Sequence, residues 1–195
     1  MKTVTISGSA RTETGKKATK ALRGQGLVPC VLYGGQEQVH FFADTREFKK
    51  VIFTPDAFNI DLAIGDKNYK AVIQHTQYHP ISDELIHADF YELDENRLVT
   101  IGIPIKITGN SVGVRAGGKL MTKTRKLKIK ALPANLPDFI SIDISNLNIG
   151  DSVKVNTLSA EGVTFLDAPN VVVVSVATTR AAAAAATAAA ATGKK

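Results

Sequence analysis

The stretch RTETGKKATKALRGQGLVPCVLYGG, Arg11 to Gly35, decides how this chain is read. Arg11, Lys16, Lys17, Lys20 and Arg23 fall within thirteen residues and are opposed only by Glu13. Residues 15–25 hold Ala, Lys, Leu and Arg without a β-branched run, which predicts a short helix or ordered loop ended by Gly24 and Gly26. Val28 to Tyr33 then reads as a short buried strand, with Pro29 near its start, where proline is tolerated. A basic segment joined to the start of a β-domain can present cations to a polyanion. Composition alone leaves an ordinary solvated helix equally open.

Outward from this stretch, the first half reads as strands and short helices. Val4 and Ile6 alternate with Thr and Ser as a first strand. After the Gly34-Gly35 turn, Val39 to Ala43 is the next strand. Thr45 to Phe53 spaces Phe48 and Ile52 as a one-sided helix, with Thr45 or Asp44 as its cap. Phe58 to Leu62 alternates, Gly65-Asp66-Lys67 turns, and Tyr69 to Gln74 returns as a hairpin. Ile86 to Leu93 is a further strand, carrying His87 and Asp89. A polar, acid-rich break at Asp94 to Leu98 suggests a domain boundary. Beyond it, strand candidates are Ile101 to Ile107, Lys126 to Ala131, Ile140 to Ile144, Ser152 to Val155 and Val171 to Ala177. Turn signals split them, as in an all-β domain. The expected organisation is 1–95, 96–180, and an Ala-rich low-complexity tail, 181–195, with no apolar face to bury.

Charge narrows the function. The net charge is +6, but residues 31–95 carry five Lys/Arg against twelve acids. The positive charge therefore lies in two patches, the N-terminal segment and Lys119 to Lys130. In the second patch, a strand would put Lys126, Lys128 and Lys130 on one face and Leu127, Ile129 and Ala131 on the other. Trp is absent and aromatics are 6%, which leaves little for a base-stacking platform. One cysteine cannot form an internal disulfide, and the N-terminus lacks the apolar stretch of a signal peptide, so the chain reads as cytoplasmic. The alanine run is too weakly hydrophobic for a membrane span.

Catalytic chemistry finds little support. His40, His75, His79 and His87 lack the spacing of a helical zinc motif, so no metal or other cofactor is expected. Cys30 is surrounded by Val28, Pro29, Val31 and Leu32, the setting of an inert buried thiol, although a hydrolase using it is a conceivable reading. No phosphate-loop Gly-Lys-Ser/Thr follows the glycines. RNA binding asks for less: cations for phosphates, and a few placed donors and acceptors for selectivity. His87 and Asp89, two apart on a strand, share a face and could serve so, or could simply satisfy each other.

The order of the pieces resembles a known family. Arg11-x3-Gly15-Lys16, the Ala-x3-Leu-Arg pattern ending at Arg23, and Gly26-x2-Pro29-x3-Tyr33-Gly34 are similar to the opening of the bacterial large-subunit ribosomal protein that binds 5S ribosomal RNA. Gln77-x-His79-Pro80 with His87-x-Asp89-Phe90 resembles its second signature. Ile103-Pro104-Ile105, Gly113-Val114, Gly117-Gly118, Leu132-Pro133, Leu136-Pro137, Asp143-Ile144 and Ile149 to Ser152 resemble the extra domain of the long form, known as Ctc or general stress protein. The similarity spans roughly 3–178.

The resemblance implies a mainly β protein with short helices: a six-stranded N-terminal barrel on 5S ribosomal RNA, then a second, mostly β domain. It implies no enzyme activity and no small-molecule substrate. The partners it implies are 5S ribosomal RNA with neighbouring ribosomal RNA and proteins of the large subunit. By position it implies RNA contacts from Arg11, Arg23, Tyr33, His87 and Asp89, phosphate partners in Lys16 and Lys20, and a further contact at Gln77. Ala21 departs from members with Arg there, which removes one phosphate contact. His79 either binds or shapes its turn. An alternative reading is a stress-associated module whose second domain binds another protein.

Overall fold

The computed structural model describes residues 1–180; the Ala-rich tail expected at 181–195 lies outside them. The described chain divides into two compact units, one of Met1–Ile101 with Ala131–Asp138, the other of Gly102–Lys130 with the chain from Phe139 onward.

The first unit runs β1 (Lys2–Ala10), α1 (Lys16–Gly24), β2 (Leu27–Tyr33), β3 (Val39–Asp44), α2 (Thr45–Ile52), β4 (Phe58–Ile64), β5 (Lys67–Tyr78) and β6 (Leu85–Glu92). Its six strands close into a barrel in the order β1-β3-β2-β6-β5-β4, so no strand edge is left free. The pairs β1–β4 and β2–β6 are parallel and the others antiparallel. Alternation supplies the interior: Ile6, Cys30, Leu32, Phe41, Leu62, Ala71, Ala88 and Phe90 are fully buried. The Phe90 ring lies 5.5 Å from Phe41 and 6.2 Å from Phe48. Phe48 and Val51 come from α2, which thus adds its apolar side to the barrel core. Asp44, rather than Thr45, caps α2 by accepting the Arg46 N–H at 2.9 Å, which stabilises such a helix by about 1 kcal/mol. The Thr45 hydroxyl donates instead to the Gly26 carbonyl. Where β1 meets β3, Gly8 allows close approach: a Cβ there would lie 2.7 Å from the Phe41 ring.

Pro29 sits within β2 at a position that pairs with β3 but precedes the β6 pairing, which begins at Cys30. Its missing N–H therefore breaks no bond to β6.

The second unit contains most of β7 (Val99–Thr108), then α3 (Val112–Arg115, a single turn), β8 (Lys119–Thr122), β9 (Lys126–Ala131), β10 (Ile140–Asp143), β11 (Ser152–Lys154), β12 (Val163–Phe165) and β13 (Val172–Ala177). They form a four-stranded sheet, β10-β7-β9-β12, and a three-stranded sheet, β11-β13-β8. Leu127, Ile129, Val173 and Val174 are fully buried. Ser111, buried among apolar neighbours, donates to the Leu147 carbonyl at 2.7 Å and accepts the Val114 N–H at the start of α3. Both capacities of the hydroxyl are thus used, as burial demands.

The short β8 and β12 and the α3 turn are additions to the strands expected from alternation. The Lys119 to Lys130 run is one patch in sequence but is divided between two sheets. Lys119 pairs with Ala177 in the three-stranded sheet, whereas Lys126, Lys128 and Lys130 lie on β9 of the other.

Candidate nucleic-acid interface

The helix α1 lies on the barrel with no fully buried residue. Ala18 and Leu22 are half-buried beside Phe42, while Lys16, Lys17, Lys20 and Ala21 are exposed. Its first turn holds two lysines and no acid. Cations at a helix N-terminus are disfavoured by about 0.3–1 kcal/mol, so this arrangement costs the isolated protein stability and favours an arriving anion.

Arginines fasten both ends of the segment. The Arg11 N–H donates to the His40 carbonyl at 2.9 Å. Its side chain donates from Nε to the Glu13 carbonyl at 2.7 Å and from a terminal nitrogen to Thr19 Oγ1 at 3.0 Å. Thr19 donates in turn to the Gly15 carbonyl, so Arg11 braces the loop that leads into α1. At the other end, Arg23 Nε donates to the Ile86 carbonyl on β6 at 3.0 Å. Ile86 is a bulge: Gln77 pairs with His87 but Tyr78 pairs with Leu85. Bulges re-aim backbone groups, and here α1 is tied to one.

Three strands complete the face. The parallel register of β2 and β6 sets Val31 beside Asp89 and Tyr33 beside Tyr91. The antiparallel register of β6 and β5 sets Gln77 beside His87 and His75 beside Asp89. A second bulge, at Gln74, produces the last pairing. The Tyr33 and Tyr91 rings meet edge to face at 5.7 Å. Gly34 makes room for them: its φ is +98°, and a Cβ there would fall 2.7 Å from the Tyr91 ring.

His87 Nδ1 lies 3.0 Å from Asp89 Oδ1, off the line of a good hydrogen bond, and has no other partner. Burial pushes the imidazole pKa below its usual value; Asp89 opposes this, and Arg23 and Arg11 add to it. At neutral pH the contact is therefore polar rather than an ion pair. Burial, then Asp89 and Tyr91, raise the Tyr33 pKa, so its hydroxyl stays a donor.

The structure thus brings Arg11, Arg23, Tyr33, Gln77, His87 and Asp89 to one side of the barrel. Lys16 and Lys20 stand off on α1, projecting into solvent. Sequence reasoning did not select His75, Tyr91 or His40. His75 and Gln77 have the same i, i+2 spacing as His87 and Asp89, a visible signal, but only the bulged register places them beside that pair.

His79 shapes its turn: its Nδ1 accepts the N–H groups of Ser82 at 3.2 Å and Ile81 at 3.4 Å, and its backbone bonds both Glu84 and Asp83. Cys30 is fully buried, its Sγ 3.4 Å from the Val28 carbonyl, and burial pushes its pKa far up. A nucleophile needs the thiolate, so the Cys30 hydrolase reading is overturned. No cluster of His, Cys, Asp and Glu among the described residues could hold a metal. No helix among them is long and apolar enough to cross a membrane.

Comparison with known proteins matches residues 6–90 to the ribosomal L25p family and residues 98–180 to the C-terminal domain of ribosomal protein TL5. A large ribosomal subunit protein bL25 of Porphyromonas gingivalis is 42% identical over 178 residues, covering 90% of this chain and 93% of the relative. Proteins of the same name from Bacteroides fragilis and Cytophaga hutchinsonii are 41% and 44% identical, each over 90% of this chain and 92% of the relative.

Proposed function

The chain belongs to the ribosomal L25p family, in the form that carries a TL5 C-terminal domain, and from that premise we propose that it binds 5S ribosomal RNA through α1 and the adjoining outer face of the barrel. As a member of this family it is a protein of the bacterial large ribosomal subunit, associated with ribosomal RNA in the cytoplasm, and not an enzyme. The alternative of a stress-associated protein-binding module gains no support from these relatives.

The observation that carries the 5S reading is the convergence of α1 with His87 and Asp89, secured by the bond from Arg23 to the Ile86 bulge. Bulk charge cannot explain binding, because residues 1–95 hold eleven Lys/Arg against thirteen acids. The segment Arg11 to Arg23 acts as a local clamp. Lys16 and Lys20 neutralise phosphates; Arg11 and Arg23 offer the nitrogens their internal bonds leave free. Tyr33 and Gln77 donate from the barrel face, and Asp89 accepts from amino groups or hydroxyls. His87, neutral, offers one nitrogen to the RNA. The shallow minor groove of an RNA helix exposes 2′-hydroxyls and base edges to such a mixed face.

The test is a titration of the full chain against 5S ribosomal RNA at rising salt. Affinity falls linearly on logarithmic axes with a slope of about −0.7 to −0.9 per phosphate contacted. No binding to this RNA at low salt overturns the reading.

A further inference from the structure

Three lysines of the second unit contribute nothing visible to its fold. Lys126, Lys128 and Lys130 face outward from β9, while Leu127, Ile129 and Ala131 are fully buried beneath them. Lysine often guards a free sheet edge, but β9 lies between β7 and β12 and has no free edge. Lysine is depleted in strands, and like charges on one sheet face repel. Among the described residues, none of the three forms an ion pair with a carboxylate.

The neighbouring strands extend this face. Gly102 on β7 lies beside Lys126, where a Cβ would be 3.9 Å from the lysine Cβ. Lys106, also on β7, pairs in register with Ser141 of β10. Its Nζ sits 4.8 Å over the ring of Phe139, which is 46% exposed. Asp143 and Asp167 at the sheet keep their charge, but among the described residues neither pairs with one of these lysines, and Asp138 beside Phe139 pairs with the N-terminus. Asp143 accepts from the N–H and hydroxyl of Ser145, and Asp167 accepts the Lys128 N–H at 2.8 Å.

We propose that this outward face, formed by Lys106, Lys126, Lys128, Lys130 and Phe139, is a second RNA site that grips the phosphate backbone without reading sequence. The three β9 lysines span about 13 Å, long enough to reach more than one phosphate of a nucleic-acid backbone. A row of ammonium groups on flexible stems suits phosphates of any sequence, since it lacks the forked or paired donors that read bases. Phe139, with Lys106 above its ring, adds an apolar surface for a ribose or an unstacked base. The proposal is independent of the barrel reading, because it uses other residues and does not depend on the sequence of the RNA.

The experiment titrates the full chain against a fluorescent RNA duplex of about 20 base pairs and arbitrary sequence, at several salt concentrations. The variant Lys126→Thr/Lys128→Thr/Lys130→Thr keeps strand propensity while removing the charge. It is expected to lose about tenfold or more in duplex affinity and to show a shallower salt slope, with 5S binding kept. Lys→Arg at the same positions restores the duplex affinity. Lys49→Ala/Lys50→Ala/Lys67→Ala removes equal charge elsewhere and changes duplex affinity by less than about twofold. Equal loss from both triple variants, or no loss from the β9 triple, overturns the proposal. Wild-type binding to 5S RNA no tighter than to the arbitrary duplex, with the duplex binding lost in the β9 triple variant, would instead overturn the barrel reading and leave this one standing.

Discussion

On the barrel, Arg11, Arg23, Tyr33, Gln77, His87 and Asp89 reach one side from two arginine-bearing segments and three strands. On the four-stranded sheet, the cations are one residue type: Lys126, Lys128 and Lys130 from β9 and Lys106 from β7. The barrel face is also internally bonded, through Arg23 to Ile86 and Arg11 to Thr19, whereas the β9 lysines hang free of ion pairs among the described residues. Donors and acceptors held in place before a ligand arrives can discriminate, because a poor fit leaves them unpaired. Mobile like charges can only attract. The difference teaches that the two faces differ in whether their cations are fastened beside other chemistry, and on the proposed function that, not charge alone, sets RNA selectivity.

The most damaging way to break the comparison is to empty the barrel. Phe90→Ala removes the ring that packs against Phe41 and Phe48, and should lower stability by about 3–5 kcal/mol in denaturant unfolding. Selective 5S binding should fall with it, because Phe90 directly follows Asp89 on β6 and fixes that strand's pleat. A stable Phe90→Ala variant would mean that the face does not depend on this core.

Next in size is the contrast between fastened and free cations. Arg23→Ala should weaken 5S binding by about 1–3 kcal/mol, whereas Lys20→Ala should cost less and act mainly by lowering the salt slope by about one contact. Titrations of both variants at two salt concentrations separate the outcomes. Equal effects would erase the distinction between fastened and free cations within the barrel interface.

The smallest effect is a pH dependence confined to the barrel. The folded-state pKa of His87 lies below its unfolded value near 6.5, so the unfolded chain binds more protons in the window below that value. Stability is therefore higher above the unfolded pKa and declines as pH falls through the window toward the folded pKa. His87→Gln should flatten this slope in denaturant melts between about pH 5 and 7.5. An unchanged slope would show that His87 is not the titrating group.

Much of the fold was legible because alternation is a local signal. Leu127 and Ile129 against Lys126 and Lys128 declared β9, whereas the lack of a β-branched run in residues 15–25 left a short helix and an ordered loop both open, and the chain forms α1 there. The strands that escaped are short and unpatterned: Lys119 to Thr122 and Val163 to Phe165 are held by partners distant in the chain. Register was not legible either. The bulges at Gln74 and Ile86 bring His75 to Asp89 and free the Ile86 carbonyl for Arg23, and nothing in the local sequence marks an extra residue in a strand. The charge of Arg11 was plain, but not that two of its nitrogens are spent bracing the loop to Thr19 and Glu13.

The central claim is most directly tested by crosslinking the full chain to 5S ribosomal RNA and mapping the crosslinked peptides. Crosslinks within Arg11–Gly35 and His75–Tyr91, lost when unlabelled 5S RNA is added in excess but retained against an excess of arbitrary duplex, are the predicted result. Crosslinks confined to Lys119–Lys130, or equally displaced by either RNA, would contradict it.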